Sequence, residues 1–84
     1  MKQHATHPDI VKRLKRASGH LQTVISMMGE GRDCLTLAQQ LHAVESAITK
    51  AKQTLIHDHL DHCLDHALEK RSSVDEFKEI TKYL

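Results

Sequence analysis

From Asp33 to Leu68 the chain runs for 36 residues without a glycine or a proline. Within that stretch Leu37, Leu41, Val44, Ile48, Ala51 and Leu55 recur at alternating steps of four and three. That spacing is one face of an α-helix. A helix rises about 1.5 Å per residue, so this one would be roughly 50 Å long. A rod of that length cannot bury its own apolar stripe, and whatever covers it decides the fold.

A shorter helix precedes it. Pro8 sits where a helix can start, because its missing N–H is harmless in the first turn. Ile10, Leu14, Ala17, Leu21, Val24 and Met28 then repeat the same spacing until Gly29 and Gly31 close the segment. Asp33 is a capping residue for the long helix. After a polar patch, Glu69-Lys70-Arg71-Ser72, the pair Ser73 and Glu76 forms a capping box for a last short helix. The reading is a single all-α domain over residues 1–84, with helices at about 7–29, 33–68 and 73–84 and a mobile arm at 1–7. The first two helices form a long hairpin. Two hairpins can cover each other as an antiparallel four-helix bundle, which predicts an obligate dimer or a dimer of dimers.

Composition narrows the function. Aromatic residues make up 2% of the chain, which removes the stacking platforms of single-strand and RNA readers. No apolar run approaches the ~20 residues of a membrane span, and no signal pattern opens the sequence, so a cytoplasmic protein is expected. The net charge of +1 conceals a division. Residues 1–32 carry six basic and two acidic side chains, a balance of +4; residues 33–84 carry six basic and nine acidic, a balance of −3. Lys12, Arg13, Lys15 and Arg16 place four cations within five residues of the first helix. Taken alone they suit an ordinary solvated face or a surface for nucleic-acid phosphates.

Eight histidines in 84 residues are many, and His57, His59, His62 and His66 crowd around Cys63. His59 and Cys63 are four apart, so one face of a helix presents both. Cys34 lies 25 residues before His59, about 37 Å along a helix, and cannot meet it within one chain. In an antiparallel dimer Cys34 of one protomer can meet His59 and Cys63 of the other, giving two sites at the interface. Two thiolates and an imidazole are a soft donor set. They suit Cu(I), and Zn(II), Ni(II) or Co(II) if a further ligand joins. His4, His7, His20 and His62 are the further candidates. Separately, Cys34 and Cys63 could equally be small buried hydrophobes, and the set alone would also serve a metal-storage bundle without a DNA role. No nucleophile–base pair or paired carboxylates appear, so an enzyme is not expected.

The chain resembles the CsoR/RcnR family of small helical metal-sensing repressors. The resemblance rests on Arg13-Leu14-Lys15 with Gly19-His20-Leu21, on Cys34, on Gln40-Leu41 with Ala43-Val44 and Ser46, and on Ile56-His57-Asp58-His59-Leu60-Asp61 with Cys63. The Cys-x24-His-x3-Cys spacing is that of the copper-sensing branch, although some nickel sensors keep it. The resemblance implies a dimer of dimers whose metal-free form binds double-stranded operator DNA, represses a copper-efflux gene and is released by metal. It implies Cys34, His59 and Cys63 as Cu(I) ligands and Glu79 as the carboxylate that hydrogen-bonds the ligand histidine. Arg13 and Lys50 match its DNA-contacting positions, with Lys12, Lys15 and Arg16 beside them. Asp33 departs from the Tyr that often precedes the first cysteine in copper sensors.

Overall fold

The computed structural model describes residues 7–66 and 72–84, and the side chains in those ranges except at 62–66 and 72–74. It holds three helices, α1 (His7–Gly29), α2 (Cys34–His66) and α3 (Ser72–Thr81). α1 and α2 form an antiparallel hairpin, and among the described residues α3 packs on α2 but not on α1. None of the described helices is long and apolar enough to cross a membrane.

The turn between α1 and α2 is built by capping at both ends. Gly31 has φ +75°, its N–H donates to Met28 O at 3.2 Å, and Arg32 N–H reaches back to Met27 O at 3.2 Å. These are the paired bonds of a helix closed by a left-handed residue, which glycine adopts without a Cβ penalty. Asp33 then caps α2. Its carboxylate accepts from Thr36 N–H at 3.0 Å and from Thr36 Oγ1 at 2.8 Å. The Thr36 N–H, followed by the hydroxyl, holds the Asp33 carboxyl below its ordinary range. The contribution of this cap is therefore full above the unfolded pKa and is lost as pH falls through the lower folded one. Gly29, by contrast, ends α1 without a positive φ.

Packing between the helices repeats every seven residues. Ile10, Ala17 and Val24 are buried on α1, facing Val44 and Ala51 on α2, and Ile56 is buried further along. A seven-residue repeat is the signature of nearly parallel helix axes with interdigitated side chains. The buried set is thin, since two of its six members are alanines. The second apolar line of each helix remains open: Leu14, Leu21, Ile25 and Met28 on α1, and Leu41, Ile48 and Leu55 on α2 are 37–58% exposed. One hairpin therefore covers one line of each stripe and leaves the other wet.

Three expectations change. α3 begins at Ser72, so Ser73 lies inside it, and the side chain of the expected capping serine is outside the described residues. α3 ends at Thr81 and not at Leu84, because its final N–H groups bond three residues back, from Lys82 to Glu79, Tyr83 to Ile80 and Leu84 to Thr81. This tightened last turn is a common way to satisfy terminal carbonyls. His7 opens α1, as the helix read at about 7–29 expects, and is half-buried, so only the arm expected at 1–7 is shortened, by its last residue. Residues 1–6 and 67–71, the latter including the expected end of the long helix at Leu68, lie outside the described residues.

Gly31→Ala is expected to destabilise the protein by about 1–2 kcal/mol, the cost of a left-handed L-residue. Space is open around its Cβ position, so the loss is conformational and not steric. Gly29→Ala should be neutral or stabilising. Urea unfolding of the two variants followed by circular dichroism separates these outcomes.

Candidate metal centre and basic cleft

Cys34 is the first residue of α2 and carries an exposed, free thiol. His59 stands on the same helix 25 residues later, with its side chain 28% exposed. Cys63 follows one helical turn on, within α2, and its side chain lies outside the described residues, as do the side chain of His62 and all of His4. Among the described residues no three His, Cys, Asp or Glu side chains of one chain gather into a metal-binding group. Cys34 and His59, 25 residues apart on one helix, do not meet within one hairpin.

The register of α2 relates Cys34 to the other candidate ligands. Cys34, Leu41, Ile48 and Leu55 follow one another at steps of seven. At 3.6 residues per turn, His59 falls about 20° to one side of the Cys34 direction and the Cys63 position about 20° to the other. The exposed apolar line of α2 thus begins at one candidate ligand and ends at the others. The line is also self-complementary about Ile48: Leu41 and Leu55 lie seven residues to either side, Cys34 fourteen before, and His59 and Cys63 eleven and fifteen after. Two antiparallel copies of α2 crossing at Ile48 would set Leu41 on the partner's Leu55. Cys34 would then stand beside the partner's His59 and Cys63.

Among the described residues the carboxylate beside His59 is that of Glu76, where the resemblance implies Glu79. Glu76 of α3 places Oε2 3.8 Å from His59 Nε2, whereas Glu79, one turn further on, is engaged by Lys82 Nζ at 3.0 Å. Alignment across the connection to α3 carries no information about how α3 is rotated against α2, and that rotation selects Glu76. His20 also acquires a partner that sequence spacing could not give. Its Nε2 lies 2.6 Å from Oε1 of Gln40, joining α1 to α2 near the closed end of the hairpin. His20 and Gln40 were both legible as motif residues, but nothing in the sequence paired them.

The cations sort by helix face. Arg13 and Lys50 line a cleft of about 520 Å³ together with Gln53, Thr54, His57, Asp58 and Asp61. A neighbouring cleft is lined by Arg13, Arg16, His20, Ser46 and Lys50 over the small residues Ala17, Ala43 and Ala47. Arg13 Nε donates to Asp9 Oδ2 at 3.0 Å. Lys12 and Lys15 are exposed elsewhere on α1 and line neither cleft. The four-cation cluster read from the sequence is therefore two pairs, and only Arg13 and Arg16 join Lys50. Helical geometry is the reason, since positions 13, 16 and 20 share a face that 12 and 15 leave. Nothing in the spacing of Asp58 and Asp61 placed them in the same cleft as the cations.

Residues 6–83 match the family model of the metal-sensitive transcriptional repressors. The chain belongs to that family. It is a family of repressors and not of enzymes. The copper-sensing transcriptional repressor CsoR of Mycobacterium ulcerans (strain Agy99) is 32% identical over 76 residues, covering 87% of this chain and 65% of the relative. CsoR of Bacillus subtilis (strain 168) is 30% identical over 80 residues, covering 87% and 79%. The chain thus spans a little under two thirds of the mycobacterial relatives it matches. Among solved structures, the nickel-responsive transcriptional regulator InrS superposes with a TM-score of 0.85 at 26% identity, covering 100% of this chain and 99% of that one. The three-helix protomer with its long hairpin is the fold of that relative.

A double-mutant cycle on His20→Ala and Gln40→Ala is expected to give a coupling of about 1 kcal/mol, the typical net value of one hydrogen bond between side chains. A coupling within error of zero would mean that this contact does not hold the hairpin together.

Proposed function

We propose that the protein is a copper(I)-responsive transcriptional repressor of the cytoplasm. Its metal-free form binds double-stranded operator DNA, and metal binding releases it, controlling copper efflux. The observation that carries this reading is the shared line on α2, on which Cys34, Leu41, Ile48, Leu55 and His59 follow one another and the Cys63 position continues. Burying that line in an antiparallel pair of chains is the same event that completes a Cys–His–Cys set from two protomers. The exposure of Leu41, Ile48 and Leu55 in the single hairpin supports an obligate dimer, and a dimer of dimers would cover the open line of α1 as well.

Two thiolates and one imidazole fit Cu(I), which favours soft donors and low coordination numbers. Cys34 would supply one thiolate at the start of α2, where the unpaired N–H groups of the first turn favour a negative charge. His59 and Cys63 would come from the partner. Glu76, already beside His59, can accept from the ring N–H that is not given to the metal and so fix its orientation. We assign this role to Glu76 in place of Glu79. Arg13, Arg16 and Lys50 would meet backbone phosphates, and Lys12 and Lys15 would add only to the long-range field. Copper and DNA must then weaken each other's binding by the same factor.

A nickel-responsive repressor of the same design is the second reading. It is favoured by the likeness to the nickel-responsive InrS over the whole chain. His4, His7 or His62 would then be candidates for the fourth ligand that Ni(II), Co(II) or Zn(II) requires. Fluorescence anisotropy of operator duplex, titrated with each metal in turn, distinguishes the readings. Release by stoichiometric Cu(I) supports the first, release by Ni(II) alone the second, and release by neither rejects both.

Cys34→Ser and Cys63→Ser should each abolish stoichiometric Cu(I) binding, while mixed oligomers of the two variants recover a fraction of the sites. Lack of recovery would exclude ligands shared between chains. Ile48→Asp should convert the protein to monomers in sedimentation experiments and lose Cu(I) binding with it, because like charges would face each other at the symmetry axis. An intact oligomer would move the interface away from this line.

A further inference from the structure

The cleft between α1 and α2 changes sign along its length. Arg13 and Lys50 stand at one end, Gln53, Thr54 and His57 in the middle, and Asp58 and Asp61 at the other. Asp58 is half-buried and Asp61 is exposed. Among the described residues Lys50 has no carboxylate within ion-pair distance, and Asp61 has no cation. The two charges are therefore not spent on each other, although they face the same 520 Å³ of space.

On the reading that this face binds duplex DNA, we propose that Asp61 is a specificity-determining residue that acts by repulsion. Phosphates provide most of the affinity of a protein for DNA and carry no sequence information. A surface with cations alone would accept a backbone in many registers. A carboxylate in the same cleft penalises every placement that runs a phosphate past His57 towards Asp61. It leaves unpenalised the placement that seats phosphates only at Arg13 and Lys50. Discrimination can arise from such a built-in repulsion as well as from attraction. The cost falls chiefly on non-operator DNA, which has no compensating base contacts to hold it in the permitted register.

The test uses the full-length, metal-free protein and two duplexes of equal length and composition. One is selected from a random pool by the wild-type protein, and the other is its shuffled counterpart. Asp61→Asn is expected to bind the shuffled duplex about threefold or more tightly, as removal of a like-charge contact predicts. Its affinity for the selected duplex should rise less, so the ratio between the two falls. Glu30→Gln makes the same charge change in the exposed turn between α1 and α2, away from the cleft, and should leave the ratio unchanged. An Asp61→Asn ratio equal to that of wild type, or affinities that shift alike for both variants, overturns the proposal while the DNA-binding reading stands. Failure of the wild-type protein to bind or select any duplex overturns both.

Discussion

The structure depends on one imbalance: a 33-residue helix carries more apolar surface than a single partner helix can cover. α1 takes one line of it, through Ile10, Ala17 and Val24 against Val44 and Ala51. The other line stays open from Leu41 to Leu55. Burial of apolar area is the main favourable term in folding and association, so this line is the surface of α2 best suited to a partner. Its ends carry the candidate ligands, and on the proposed function one pairing of chains would both bury the line and complete the metal site.

The turn between α1 and α2 gives that arrangement its rigidity. Gly31 closes one helix and Asp33 opens the next within two residues, and Cys34 follows at once. A side chain there is held by two sets of caps rather than by a loose loop. His59 sits at the far end of α2, where α3 adds Glu76 beside it. The candidate ligands therefore occupy the two regions where α2 is buttressed by something other than α1's core line. Arg13, Arg16 and Lys50 converge on the opposite edge of the hairpin, which is the surface the proposed function gives to DNA.

Much of this was legible beforehand, and for local reasons. Apolar spacing, Pro8, Gly31 and Asp33 report chemistry that acts within a turn or two of the chain, and α1 and the start of α2 fall where they predict. Cys34, His59 and Cys63 could be placed on one side of α2 from the sequence because a helix converts sequence distance into direction, and their role as ligands is a proposal. The dimer followed from the length of α2 alone, and it remains a proposal. What could not be read was every contact between helices: His20 with Gln40, Glu76 instead of Glu79, and the separation of Arg13 and Arg16 from Lys12 and Lys15.

The sequence by itself determined where α1 runs and where α2 begins, which stripes are apolar, and which side chains suit a soft metal. Each of these is fixed by backbone geometry and side-chain chemistry within a few residues. Only the tertiary structure decided which line of each stripe is buried, which carboxylate reaches His59, and which charges share a cleft. Those outcomes depend on how far one helix is rotated and shifted against another. That rotation is set by the summed fit of Ile10, Ala17, Val24, Val44 and Ala51, whose small and large side chains must interdigitate together.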